Sequence, residues 1–184
     1  ILIASSHQKE EVLILEEINK LLIKRQNIFV VVVPRHPERS KEVLNYVRKI
    51  IPKSNLESNN ITIADLDCLV VNSLGEMPIY YKLSDIVILG GSFVNLGGHN
   101  PLEPANYHCS ILTGPSIFNW QSIYNEMIYN KCCILCKTAN ELGYNIESIL
   151  NNNKLANELR INAFNYSNKK QNIINDVLNN INPY

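Results

Sequence analysis

IVILGGSFVNLGGHNPLEPA, residues 86–105, passes from an apolar stretch through a glycine-rich turn into the start of a helix. Ile86 to Leu89 is short and β-branched, which predicts a buried strand. Four of the chain's seven glycines (Gly90, Gly91, Gly97 and Gly98) crowd its carboxyl end. Asn100 suits a helix N-cap, Pro101 suits the first helical position, and Glu103 stands where a capping box puts its acidic residue. Glycine allows positive φ and lets N–H groups approach a ligand closely, while a helix start offers unpaired N–H groups to an anion. A phosphate fits such a loop. Local spacing alone leaves Asn100 and Glu103 open to both readings, as helix caps and as ligand contacts.

Working outward, the same alternation repeats. Ile1 to Ala4, Phe29 to Val33, Leu69 to Val71, Ile111 to Thr113 and Ile134 to Cys136 are further candidate strands. Helical patterns separate them. Val12, Leu15, Ile18 and Leu22 recur at spacings of three and four, with Glu10 and Glu11 in the first turn and Lys24 and Arg25 in the last, as the helix dipole prefers. Glu38 to Ile50, Met77 to Leu83, Pro101 to Tyr107 and Trp120 to Tyr129 follow, and the chain is mostly helical from Glu141. Strands apolar throughout are buried on both faces. Right-handed crossovers then give an α/β fold, an open, doubly wound, Rossmann-like parallel sheet. Ser54 to Asp67 is polar with an Ile61-Thr62-Ile63 island and is expected to be a loop with one stray short strand.

The composition limits the function. The chain has 184 residues, 46% hydrophobic and 18% charged, enough for one substantial core. Seventeen basic against seventeen acidic residues leave no net charge, so nucleic acid is not an expected partner. The longest apolar run, Ile28 to Val33, falls far short of the roughly 18 residues of a membrane span. Ile1 already stands in a strand-like run with no basic n-region before it, so the sequence is expected to open mid-protein. Cys68, Cys109, Cys132, Cys133 and Cys136 form an odd, unevenly spaced set that suits buried thiols and a reducing compartment rather than a disulfide framework. The repeated asparagines near residues 151–153 and 179–180 are compositional bias without functional content.

In such a sheet, chemistry is sought in the loops beyond the strands' carboxyl ends. After the first strand, Ser6 is placed to cap the next helix and His7 to face the cleft, although a purely structural histidine is the plain alternative. Arg35 and His36 stand between Pro34 and Pro37, a stiff setting in which a guanidinium suits a phosphate or carboxylate. Arg39 is expected to be a surface ion-pairing residue. Gly75 again allows close backbone approach, and Glu76 is expected to stabilise a helix start. Cys133 and Cys136 make a CxxC without a second pair, and within a strand they face opposite sides of the sheet. Neither HxxxH, GxSxG, GxxxxGK[ST] nor GxGxxG is present. Trp120, Tyr124 and Tyr129 are expected in the core or in helix packing rather than as a base-stacking platform.

Taken together, these loops resemble the carboxyl-terminal half of the Kdo transferases, bacterial enzymes that move 3-deoxy-D-manno-octulosonic acid from CMP-Kdo onto lipid A precursors. GGSFVNLGGHNPLEPA resembles the family's most diagnostic stretch, and IASSHQKEE, VPRHPER, NSLGEMPIYYKLSD and GPSIFNW resemble its other blocks in the same order. The resemblance is strong over residues 1–130 and weak over the helical tail. The family usually has Gly where Lys9 stands, Asp where Asn72 stands, and no Pro at Pro78.

The resemblance implies the donor half of a two-domain GT-B glycosyltransferase in lipopolysaccharide biosynthesis. Residues 1–184 would form the CMP-Kdo-binding domain, and the acceptor-binding amino-terminal domain would lie outside this chain. No catalytic residue is then expected here, because the acidic base belongs to that other half, and the fragment alone is expected to be inactive. The implied donor contacts are Arg35 and the backbone from Gly75 to Met77 near the cytosine, Ser92 and Asn100 near the phosphate, and Glu103 on the ribose hydroxyls. His7, Gly91 and Gly98 complete the expected site. Inversion at the anomeric carbon is implied, with no metal or other cofactor. The full-length enzyme would sit at the cytoplasmic face of the bacterial inner membrane, with this domain itself soluble. Two rivals stay open: a GT-B transferase or epimerase using a UDP-sugar, and a non-catalytic nucleotide-binding regulatory module.

Overall fold

The computed structural model describes residues 1–25, 27–58 and 62–181. Seven strands form one all-parallel sheet: β1 (Leu2–Ser6), β2 (Val30–Pro34), β3 (Ser54–Leu56), β4 (Cys68–Val70), β5 (Ile86–Leu89), β6 (Ser110–Thr113) and β7 (Cys133–Leu135). Their order is β3-β4-β2-β1-β5-β6-β7. The helices are α1 (Glu10–Lys24), α2 (Ser40–Ile50), α3 (Met77–Lys82), α4 (Leu102–Ala105), α5 (Gln121–Tyr129), α6 (Ala139–Asn151) and α7 (Asn153–Ile181). Six strands fall where the apolar runs predict them. The seventh, β3, is the Ser-Asn-Leu segment, which pairs with β4 in the register Ser54↔Cys68. A short strand of this stretch lies at Ser54–Leu56; of the isoleucine island, Ile63 begins a 3-10 turn and Ile61 is outside the described residues.

Strand alternation sorts the apolar side chains into two layers. Ile3, Val30, Val32, Ile86 and Ile88 meet α1, α2 and α6 on one face of the sheet. Leu2, Ala4, Val87, Leu89 and Ile111 meet α3, α4, α5 and α7 on the other. On α1 the buried stripe keeps the expected Leu15 and Ile18 and adds Ile14 and Leu21, while Val12 and Leu22 sit at its margin. The expected helix over residues 38–50 opens with a separate 3-10 turn, Pro37–Arg39, because Pro37 starts a turn without needing an N–H donor.

Each cysteine is free and buried. Cys136 joins the first layer and Cys133 the second, as period-two geometry requires of residues three apart in an extended segment. Tyr124 is fully buried and Trp120 packs against the second layer, but Tyr129 is 87% exposed and belongs to neither core. Among the described residues, no helix is long and apolar enough to cross a membrane. No group of three or more His, Cys, Asp or Glu among them is arranged to hold a metal ion.

Candidate active site at the carboxyl ends of the central strands

β1 has β2 on one side and β5 on the other. The connections leaving β1 and β5 therefore part company at their carboxyl ends, and a crevice opens there. Gly90 lets the two strand ends close up: a Cβ on it would stand 2.3 Å from the Ser5 carbonyl oxygen. Gly91 then turns with φ +67. Lys9, in the loop after β1, takes φ +79, the left-handed region that suits the glycine found there in the resembled family.

Two glutamates of α1 bind these loops together. Both are buried. The Glu10 carboxylate accepts N–H bonds from His7 at 2.8 Å, Gly91 at 2.6 Å and Phe93 at 3.1 Å, joining the loop after β1 to the loop after β5. Burial raises the pKa of Glu10, opposed by those three N–H groups. The N–H groups of Gly91 and Phe93 are thus already occupied by an internal anion. Glu11 accepts a two-pronged bond from Arg39, Nη1 at 2.9 Å and Nη2 at 3.2 Å, and a bond from Ser6 Oγ at 3.1 Å. These contacts correct two expectations. Arg39 does pair with carboxylates, Glu11 and Glu42, but away from the open surface, since its side chain is 17% exposed against a Glu11 side chain of 2%. Ser6 does not cap α1: its hydroxyl is turned to Glu11, and α1 starts after Lys9 without a side-chain cap.

Above this base, three histidines converge. His7 Nε2 lies 3.0 Å from His99 Nε2, with the rings nearly parallel at 10°. The His36 ring stands edge-on to His7, with centroids 6.1 Å apart. Burial lowers the His7 pKa to about 4, helped by His99, His36, Arg35 and Arg39. His99 is also lowered, by burial and then by Arg35. Arg35 is anchored through its N–H to the Ser6 carbonyl at 2.9 Å, while its exposed guanidinium carries no ion pair among the described residues.

The rest of the glycine-rich loop divides into committed and open groups. Ser92 is fully buried; its hydroxyl donates to the Leu89 carbonyl at 2.6 Å and accepts from Gly114 N–H at 2.8 Å. Gly98 has φ +70 and donates to the Gly91 carbonyl at 3.0 Å. The Tyr124 hydroxyl holds the His99 carbonyl at 2.8 Å. Asn100 Oδ1 accepts from Leu102 N–H at 3.0 Å, but α4 begins at Leu102 with Pro101 in the N-cap position, so Asn100 stands one residue ahead of the cap position it is expected to fill. The return contact of a capping box is missing as well, because exposed Glu103 has no hydrogen-bond or ion-pair partner among the described residues. Its carboxylate sits near α3, where burial and then Glu103 raise the Tyr81 pKa.

His7, His99, Gly91 and Gly98 thus meet at the carboxyl ends of β1 and β5, with Arg35 on the neighbouring loop after β2, while Glu103 stands toward α3. Gly75 and Met77 stand beyond the end of β4, two strands from β1. Gly75 takes φ +82 in open space, and Met77 packs on the second layer. Glu76 occupies the N-cap position of α3 but its side chain makes no bond to the helix, accepting instead from Ser73 Oγ at 2.7 Å. Reading the sequence alone missed Glu10, Glu11 and His99 as parts of the site. A signal was available: adjacent glutamates right after a strand end, and a histidine in each of three strand-end loops.

No protein-family model matches the chain. Among curated proteins, the 3-deoxy-D-manno-octulosonic acid transferase of Haemophilus influenzae is 35% identical over 153 residues, covering 80% of this chain and 35% of that protein. The enzyme of the same name from Rickettsia typhi is 32% identical over 187 residues, covering 100% and 40%. Among solved structures, the C-terminal CMP-Kdo binding domain of WaaA from Acinetobacter baumannii superposes with a TM-score of 0.83 at 31% identity, over 88% of this chain and 85% of that one. The chain belongs to the Kdo transferase family. It spans about two fifths or less of the length of those curated Kdo transferases. A second structure, the C-terminal domain of LpcC from Francisella tularensis, shares the fold at a TM-score of 0.65 and 17% identity. Each Kdo transferase block quoted from the sequence contains a strand-end loop of this sheet, two of them with the last strand residues before it and all with helical residues after it.

Proposed function

We propose that residues 1–184 form the donor-binding domain of a glycosyltransferase that moves Kdo from CMP-Kdo to a lipid A precursor. The observation that carries this reading is that Arg35, after β2, and Glu103, after the glycine-rich loop of β5, are both exposed and have no side-chain partner among the described residues. In this reading Glu103 accepts hydrogen bonds from both ribose hydroxyls. Arg35 and the backbone from Gly75 to Met77 border the cytosine. The phosphate lies toward Gly98 and Asn100, since the N–H groups of Gly91 and Phe93 already serve Glu10. His7 and Gly91 line the crevice, and the Ser92 hydroxyl shapes the loop from inside. Cationic and N–H groups around the departing CMP phosphate stabilise the charge that develops on it.

The name of the Acinetobacter domain supports CMP-Kdo as the ligand. The acceptor, the catalytic base and any association with the cytoplasmic face of the inner membrane are assigned to the remainder of the enzyme, so this domain alone is inactive. Calorimetric titration tests the reading: CMP binds in preference to UMP without added divalent ion. Equal affinity for the two nucleotides, or binding only with a metal, refutes it.

A further inference from the structure

We infer that Tyr124 is a positioning residue for the donor's phosphate: its hydroxyl grips the His99 carbonyl and thereby aims the Asn100 N–H at the anion. The inference rests on the reading of the crevice as a nucleotide site with the phosphate toward Gly98 and Asn100, and adds to it the buried group that orients the loop there.

A peptide unit is planar and trans, so the carbonyl of one residue and the N–H of the next point in opposite directions. No peptide bond among the described residues is cis. The His99 carbonyl is turned to the Tyr124 hydroxyl, which donates to it at 2.8 Å. Tyr124 stands on α5, fully buried in the second layer. Its ring lies beneath the loop, where a Cβ on Gly98 would come 3.6 Å from both Cε2 and the hydroxyl oxygen. The Asn100 N–H therefore points away from the core. Gly97 and Gly98 are buried while His99 and Asn100 are partly exposed, so that direction is the open side of the loop.

Earlier amides of the loop are committed. Gly91 and Phe93 donate to the Glu10 carboxylate, Gly97 to Ser116 Oγ at 2.9 Å and Gly98 to the Gly91 carbonyl at 3.0 Å. The segment after β6 pins the carbonyls as well: Asn119 N–H holds that of Gly97 at 3.1 Å, and Asn119 Nδ2 that of Leu96 at 2.8 Å. His99 and Asn100 follow, and neither of their N–H groups has a partner among the described residues. The Asn100 side chain does not close its own amide, since Oδ1 faces Leu102 N–H at 3.0 Å. An N–H bond to a phosphate oxygen is charge-assisted and strong, but it weakens steeply once misaligned. Without the Tyr124 hydroxyl, the His99 carbonyl loses its only partner among the described residues. Rotating that peptide toward water relieves the loss, and it swings the Asn100 N–H off the phosphate.

The test compares CMP with cytidine, which keeps the base and the ribose but lacks the phosphate. Amide NMR titrations of the chain measure both affinities even where they are weak. The parent is expected to bind CMP more tightly than cytidine. Tyr124→Phe removes one oxygen and keeps the ring; it is expected to weaken CMP about tenfold, the worth of one hydrogen bond to a charged group, and to leave cytidine within about twofold of the parent. Equal losses for CMP and cytidine make Tyr124 merely structural and overturn the inference, as does a variant with parental CMP affinity. A parent that binds CMP no more tightly than cytidine refutes the phosphate's place in the crevice, and this inference with it. The parent spectrum gives a check independent of any variant. The Asn100 N–H resonance is expected to move downfield with CMP and to stay in place with cytidine. An Asn100 amide unmoved by CMP, in a chain that still prefers CMP to cytidine, overturns the inference and leaves the nucleotide site standing.

Discussion

Replacing Arg39 by alanine is the sharpest test of how the site is held together. In the folded chain the guanidinium forms a two-pronged bond to Glu11, at 2.9 and 3.2 Å, and lies 3.6 Å from Glu42. Glu11 is buried against the sheet, so Arg39→Ala leaves a carboxylate out of water with only the Ser6 hydroxyl for company. Breaking one side of a buried pair costs about 3–5 kcal/mol, against about 0–1 kcal/mol for an exposed pair. For a chain of this length each kcal/mol lowers Tm by about 2–4 °C, so a fall of roughly 6–20 °C is expected in a thermal unfolding scan followed by circular dichroism. Arg39→Lys keeps the charge but not the fork and should lose less. Replacing both partners by methionine removes the stranded charge and should recover most of the loss, with a deficit of about 1 kcal/mol for the unpaired Ser6 hydroxyl. If Arg39→Ala unfolds within a degree or two of the parent, the pair behaves as a surface contact and the reasoning fails.

Glu103→Gln should leave Tm unchanged, since Glu103 holds nothing in the folded domain, and should weaken CMP binding about tenfold to a hundredfold by calorimetry, the equivalent of one charge-assisted contact. Lys9→Gly should raise stability by about 1 kcal/mol in a urea titration, because it relieves a side chain held at φ +79. Gly90→Ala should destabilise the fold far more than Gly75→Ala: the first drives a Cβ to 2.3 Å from the Ser5 carbonyl, while the second meets no atom within 4 Å and is charged only for its φ of +82. His7 has a folded pKa of about 4, below its ordinary 6.5, so the unfolded chain binds more protons between those values. The His7 contribution to stability is therefore full above about pH 6.5 and is lost as pH falls toward 4; His7→Gln should remove that part of the pH dependence of the urea midpoint.

The sheet was legible because buried parallel strands announce themselves as short β-branched runs, and six of the seven did. Ser54–Leu56 escaped because an edge strand of three residues can be polar: it pairs with β4 alone, so nothing demands apolar side chains on both faces. The regions of the site were legible from glycine, proline and cap chemistry, all of which act locally. Contacts that join distant residues were not. Glu10 and Glu11 look like helix-dipole residues from their position, and only the meeting of the loops after β1 and β5, with α2 alongside, turns them into buried acceptors. The His7–His99 contact links residues 92 apart, and no local pattern encodes it. Tyr129 shares a helix with buried Tyr124, yet it points to solvent because five residues rotate it off the apolar stripe.

The five free thiols are split between the two sides of the sheet, Cys68 and Cys136 under α1, α2 and α6, and Cys109, Cys132 and Cys133 under the other helices. Burial pushes Cys68 and Cys109 up to about 12 and Cys132 and Cys136 up to about 11, so hardly any thiolate exists near neutral pH. Cys68 and Cys109 are fully buried, so an alkylating reagent reaches these two sulfurs only when the helices over them lift from the sheet. The natural sequence therefore carries its own clock for local opening: mass-spectrometric labelling rates at Cys68 and Cys109 time the two layers separately, without an added probe.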